Sequence, residues 1–267
     1  HEEARVNAPH LATLYNDRTL RDRLRECMGG PLRSQSLKVQ LNHGNGGCFP
    51  LHFDGDPSLD DRVITAVLYL NPDWSDADGG HLQLVPFPEQ PVDVAPRFDR
   101  LVLFASHDTL HRALPSQNVR FCVTSWFYRT QPGGGAAVAD ETKAERRLMA
   151  RYAYREAWAR SIRESHAPGK ALDAALVAHA DDTLKIAEAL KARGVDLAQF
   201  SEKREFVEEV RRLKSQESGG GGGGGSGGEA SPAEATRAPS AKLARLIRKV
   251  EDIKASGDGA FRTKDYE

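Results

Sequence analysis

The sequence predicts a mainly β fold, an antiparallel sandwich or barrel with helices before it and a helical segment after it. Three observations carry the prediction. Short apolar runs rich in β-branched and aromatic residues recur along the first half, each bounded by turn residues. No helical periodicity separates them, which favours hairpins and short loops over crossover helices. From about residue 140 the pattern changes to apolar residues at helical spacing on a heavily charged background.

Taken in order, residues 9–28 read as one or two helices packed outside the sheets. The strands follow as KVQL at 38–41, VITAVLYL at 63–70, HLQLVPF at 81–87, RLVLFAS at 100–106 and RFCVTSWFY at 120–128. HGNGG at 43–47, NPDWSDADGG at 71–80 and PSQN at 115–118 are the turn signals between them. This β domain with its leading helices is expected over 1–132. A helical segment is expected over 140–215, where Leu148, Tyr152, Arg155, Ala159 and Ile162 keep helical spacing, as do Leu172, Leu176, Thr183, Ala187 and Leu190. Pro168-Gly169 and Gly194 mark breaks, and the charged faces are expected to be solvated. Seven glycines, a serine and two glycines fill 219–228, so 216–240 reads as a flexible linker. Leu243, Leu246, Ile247, Val250 and Ile253 then make an amphipathic helix within 241–267.

Composition bounds the function. No stretch approaches the roughly 18 apolar residues of a membrane helix, and mean hydropathy is −0.54. With 37 Lys and Arg against 38 Asp and Glu, the chain lacks the basic excess of most nucleic-acid binders, so no nucleic-acid partner is expected. Cys27, Cys48 and Cys122 are too few and too scattered for a disulfide framework or a zinc cluster. Reduced thiols, and hence a cytoplasmic or nuclear location, are expected. The opening at His1 points to a fragment or processed product, in which targeting signals are not readable.

The chemistry concentrates in His52-Phe53-Asp54. In a strand, residues i and i+2 face the same way, so an imidazole and a carboxylate can reach one metal ion. His111 is the third candidate, lying just before the 115–118 turn. Two imidazoles and one carboxylate leave coordination positions open, the facial arrangement of non-haem Fe(II) oxygenases. A structural zinc site would close its shell with four ligands. Arg120 stands nine residues after His111 and opens a strand whose alternation puts Arg120, Cys122, Thr124 and Trp126 on one face. Its guanidinium suits a bidentate pair with a carboxylate, to which Thr124 can add a hydroxyl bond. The distal carboxylate of 2-oxoglutarate is the natural partner. Val63, Thr65, Val67 and Tyr69 share a face of their own strand. His43, His81 and His107 are expected to be non-ligands.

H-x-D, a distal His and an Arg nine residues later resemble the Fe(II)/2-oxoglutarate dioxygenases of prolyl 4-hydroxylase type. The hypoxia-sensing branch is the most similar, through Tyr69-Leu70-Asn71-Pro72-Asp73-Trp74, Gly79-Gly80-His81-Leu82, Pro96-Arg97-Phe98-Asp99-Arg100-Leu101 and Thr124-Ser125-Trp126. The resemblance runs over 38–128, about a third of the chain. It implies a double-stranded β-helix (jelly roll) core and iron ligands His52, Asp54 and His111. Arg120 and Tyr69 would bind the distal carboxylate with Thr124 nearby, and Leu82 and Trp126 would wall the pocket. The implied cofactors are Fe(II) and 2-oxoglutarate, with O2 as co-substrate and ascorbate as a reductant. One departure stands out: Asn42 occupies the position, ten residues before His52, where these hydroxylases commonly carry a tyrosine near the cofactor. Residues 44–46 still fit the glycine-containing loop expected next.

The implied activity is hydroxylation of a protein side chain, with a prolyl residue of a protein or peptide as the leading target, and release of succinate and CO2. Two other readings stand beside it: the same chemistry on a non-prolyl or small-molecule substrate, and a catalytically silent jelly-roll binding module. At the C-terminus, residues 253–261 and 264–267 resemble the first helix of a tetratricopeptide repeat, which implies a downstream repeat domain that recruits protein partners. A lone amphipathic tail is the alternative.

Overall fold

The computed structural model describes residues 9–57, 59–130 and 141–200. The expected linker at 216–240, the expected helix at 241–267 with its repeat resemblance, and the stretch 201–215 lie outside the described residues.

Two helices open the chain, α1 (Pro9–Asn16) and α2 (Thr19–Met28). Gly29 ends α2 in the left-handed conformation at φ 64° and returns its N–H to the Arg25 carbonyl. Eight strands follow: β1 (Ser34–Asn42), β2 (Gly47–His52), β3 (Arg62–Tyr69), β4 (Leu82–Val85), β5 (Val92–Val94), β6 (Leu101–Ala105), β7 (Leu110–Ser116) and β8 (Arg120–Tyr128). They form two four-stranded sheets, ordered β1-β8-β3-β6 and β2-β7-β4-β5. Apart from the β4–β5 hairpin, successive strands alternate between sheets, which is the jelly-roll arrangement the resemblance implies.

Registers fix which side chains face inward. β1 and β8 pair antiparallel from Ser34 opposite Tyr128 to Asn42 opposite Arg120. β3 lies on the other side of β8 with Tyr69 opposite Cys122, and a bulge falls between Arg62 and Ile64. In antiparallel pairs, directly opposed residues share a face. Tyr69 and Cys122 therefore enter the interior with Val67, Leu82, Val102 and Phe104, which make one buried cluster. The opposite face of the first sheet buries Leu32, Ala66 and Phe127 under Leu20 and Leu24 of α2, one helical turn apart. Tyr69, Phe121 and Phe127 are among the largest fully buried side chains, each worth roughly 1.5–3 kcal/mol of burial.

Two tied segments position the site. Asn71, buried after β3, donates to the Pro96 carbonyl at 2.7 Å and accepts from the Phe121 N–H at 2.7 Å. The Asp99 N–H donates to the Tyr69 carbonyl and the Tyr69 N–H to the Arg100 carbonyl, both at 2.9 Å. The YLNPDW and PRFDRL segments are therefore joined backbone to backbone.

A second compact unit contains Cys48–Leu51 and the helices α3 (Glu141–Ala153), α4 (Arg155–Ser165) and α5 (Lys170–Ala192). Within it, Ala159, Ile162, Leu176 and Ala180 form the buried core. The spacing of 148–162 suggests unbroken helix, but the chain breaks at Tyr154. The break leaves the Tyr152 carbonyl free to accept from the buried Arg155 guanidinium at 2.7 Å. The expected breaks at 168–169 and 194 are present. The three cysteines are free. Among the described residues, no helix is long and apolar enough to cross a membrane.

His179 on α5 lies against the Trp158 ring at 5.7 Å, and its Nε2–H donates to the Arg155 carbonyl at 2.9 Å. Burial holds its imidazole below the ordinary value of 6.5. Above that pH both folded and unfolded chains are neutral here; below it the unfolded chain takes up the proton first, so stability falls as pH drops. Urea denaturation followed by circular dichroism should show this loss below about pH 6.5, and His179→Gln should reduce it. An unchanged slope in the variant would remove His179 as its source.

Candidate metal centre

β2 ends at His52, and the chain leaves the strand before Asp54. The shared direction of His52 and Asp54 is thus set by the turn after the strand and not by strand alternation. β7 brings His111 opposite Leu84 of β4, and β7 also neighbours β2. The two imidazole rings lie with centroids 4.2 Å apart. His52 Nε2 is 3.4 Å from Asp54 Oδ1, and His111 Nε2 is 3.7 Å from the same oxygen. One donor atom from each of the three residues falls within 4.8 Å of the others. Among the described residues this is the one group so disposed. His107 pairs with Asp60 at 3.0 Å instead, and His81 packs edge-on to Trp74.

The groups behind these three decide which atoms face inward. Asp54 Oδ2 accepts from Thr65 Oγ1 at 2.7 Å and from Trp126 Nε1 at 3.0 Å. Oδ1 is left for the imidazoles and for any ion they hold. Thr65 lies 2.8 Å from Ser106 Oγ. Arg62 donates to the Asp54 backbone carbonyl and stacks over Trp126 at 4.7 Å, holding the indole in place. Burial acts to raise the Asp54 carboxyl, but the His52 hydrogen bond, the His111 and His52 charges and the Thr65 bond outweigh it, keeping it well below the usual carboxylate range. His111 donates Nδ1–H to the Thr109 carbonyl at 3.1 Å, which fixes the tautomer with the Nε2 lone pair turned toward Asp54. Burial, then the His52 charge, push its imidazole down to about 4, so it is neutral near pH 7. An ionised carboxylate and an inward-facing neutral imidazole are the forms that bind a cation. The donor set has no thiolate and suits a non-haem ferrous ion.

The second feature is a buried cation. Arg120 is 8% exposed. Its Nε donates to the Gly80 carbonyl at 2.8 Å, one terminal nitrogen to Tyr69 Oη at 3.0 Å and the other to Cys122 Sγ at 3.7 Å. Gly80 allows the close approach: its φ is +70°, and a Cβ there would meet Ser116 and the Arg120 side chain within 3.0 Å. No carboxylate of the described residues pairs with the guanidinium, and two of its five N–H donors are uncommitted. A desolvated charge without a counter-ion is costly, and an anion placed here would offset that cost. Tyr69 is held above the usual phenol value chiefly by burial and keeps its proton. Its oxygen accepts from Arg120, and its O–H donates to no other described residue.

Of the other expected residues, Leu82 is buried beside Tyr69 in the interior cluster. Trp126 touches Asp54 itself, a role the sequence did not signal. Thr124 lies on the Arg120 face, but its hydroxyl donates to Gln40 Oε1 at 2.8 Å. Asn42 clasps the loop that follows it, donating to the Gly47 carbonyl and accepting from the Gly44 N–H. A side chain at Gly47 would collide with it. Thr65, Ser106, Arg62, Thr109 and Gln40 were missed. Strand alternation in 63–69 and KVQL was the available signal for Thr65 and Gln40.

Thr65→Val and Trp126→Phe each remove one hydrogen bond from Asp54. Each should weaken metal retention roughly 10–100-fold, read by competition with a chelator. Unchanged retention in both would mean that Asp54 is oriented by other groups.

Comparison with known proteins agrees with this geometry. Residues 38–128 match the family model of the 2OG-Fe(II) oxygenase superfamily. The chain is 38% identical over 108 residues to a hypoxia-inducible factor prolyl hydroxylase of Caenorhabditis elegans, covering 39% of this chain and 14% of that protein. It is 35% identical over 118 residues to Egl nine homolog 1 of Homo sapiens, covering 40% of this chain and 27% of that protein. The chain thus spans well under half the length of these relatives. Among solved structures, a prolyl 4-hydroxylase of Phytophthora capsici superposes with a TM-score of 0.57 at 29% identity, covering 80% of this chain and 74% of that one.

Proposed function

We propose that this chain is an Fe(II)- and 2-oxoglutarate-dependent dioxygenase that hydroxylates a prolyl residue of a protein or peptide, releasing succinate and CO2. The observation that carries the reading is the pairing of an open His52–Asp54–His111 cluster with a buried Arg120 that has no carboxylate partner among the described residues. The prolyl target is supported by the 38% identity over 108 residues to a prolyl hydroxylase and by the Phytophthora capsici structure. Reduced thiol usage supports a cytoplasmic or nuclear location.

Each side chain has a task. His52, Asp54 and His111 would hold the iron, and three protein donors leave room for a co-substrate and O2. Bound there, Fe(II) supplies the activation of O2, coupled to oxidative decarboxylation of 2-oxoglutarate. Arg120 anchors the distal carboxylate with the uncommitted N–H groups of its fork, and the Tyr69 hydroxyl adds a third donor. Thr65 and Trp126 hold Asp54 to one orientation and keep its free oxygen toward the metal. Leu82 and Phe104 keep water from this interior. No side chain has to act as a general acid or base.

The test is aerobic turnover of proline-containing peptides with Fe(II) and 2-oxoglutarate, with succinate counted and the product located by mass spectrometry. The expected result is one succinate per oxygen atom added to a proline, lost in His111→Ala. Succinate without peptide oxidation, or oxygen on another residue type, would overturn the prolyl assignment. Arg120→Ala should weaken 2-oxoglutarate binding by roughly 2–5 kcal/mol, because truncation leaves a carboxylate buried without its partner. Unchanged affinity would take the anchor away from β8.

A further inference from the structure

Thr124 has one hydroxyl proton, and it points to Gln40 Oε1 at 2.8 Å. It is therefore not the donor this face presents to an anion. Gln40 lies directly opposite Cys122 on the neighbouring strand, so its side chain shares the face of Arg120, Cys122 and Thr124. A directed chain orients the amide: Arg120 donates to Cys122 Sγ, the Cys122 thiol donates to Gln40 Oε1 at 3.7 Å, and Thr124 donates to the same oxygen. With Oε1 taken by two donors, the amide's orientation is fixed and Nε2 carries two N–H groups that no other described residue accepts. Along the strand, Gln40 bridges Cys122 and Thr124. That places it between Arg120 at one end of β8 and Trp126, which reaches Asp54, near the other. Asn42, two residues further along the same face of β1, is committed to the 44–47 loop and leaves this stretch to Gln40.

We propose that Gln40 is a co-substrate-binding residue, its Nε2 amide donating to an oxygen of 2-oxoglutarate between the Arg120 anchor and the metal cluster. The inference rests on the function proposed above and adds a donor to it. Neutral amide donors at mid-length and a cation at the end favour an elongated dicarboxylate over a monocarboxylic 2-oxo acid.

The test is calorimetric titration of 2-oxoglutarate into the full chain loaded with Zn(II), where no turnover occurs. Gln40→Glu keeps both accepted hydrogen bonds and removes the donor; Gln40→Met removes the donor without adding charge. Both variants should retain Zn(II) as the parent does and bind 2-oxoglutarate roughly ten- to hundredfold more weakly. In the parent, the Gln40 side-chain amide resonances should shift when 2-oxoglutarate is added, a readout that needs no variant to fold. A loss confined to Gln40→Glu is charge repulsion and would overturn the inference, as would unshifted amide resonances. Failure of the parent itself to bind 2-oxoglutarate would sink the proposed function instead.

Discussion

The site depends on how one carboxylate is shared. Asp54 stands past the end of β2, with no strand pairing of its own to orient it. Its two oxygens are divided between opposing surfaces: Thr65 and Trp126 of one sheet take Oδ2, and His52 and His111 of the other face Oδ1. Only a fold that brings those sheets face to face can satisfy both oxygens at once. The jelly roll does so because the chain crosses between sheets after β2, so that β2 and β3, consecutive in sequence, end up on opposite sides of the interior. The same arrangement carries the burial cost of an ionised aspartate, since every polar contact it makes favours the charged form.

Arg120 solves a different problem with the same scaffold. A guanidinium in an apolar interior needs acceptors, and here a glycine carbonyl, a phenol oxygen and a thiol provide them without neutralising the charge. The cation is thereby tolerated but left electrostatically unsatisfied. Such a group gains far more from an incoming carboxylate than an exposed arginine would, because little solvent competes for it.

Much of this was legible in the sequence. Five strands, the helical character of 9–28 and the breaks at 168–169 and 194 announced themselves through residue pattern and turn residues. β7 did not, because its L-H-R-A-L-P-S run carries neither alternation nor β-branched residues and holds its place by pairing with β4. β5 is three residues long and largely exposed, too short for a period to register. The ligand candidates were readable as residue types at a spacing, and the geometry draws His52, Asp54 and His111 together. What sequence could not convey is direction: that Trp126 aims its N–H at Asp54, or that Thr124 turns its proton to Gln40. These depend on cross-strand register, which becomes known only once strand partners are paired.

Asn71 separates two kinds of likeness. It and the backbone links around Tyr69 and Asp99 join the YLNPDW and PRFDRL stretches into a brace that supplies none of the three metal-facing side chains and only Tyr69 to the group around Arg120. Those stretches supply much of what makes the chain look like a hydroxylase. A variant that kept the brace and exchanged Asp54 for alanine would keep that likeness, yet its two imidazoles would have lost the carboxylate they face. Likeness of framework and completeness of the site are thus separate properties of one chain, and either can be lost without the other.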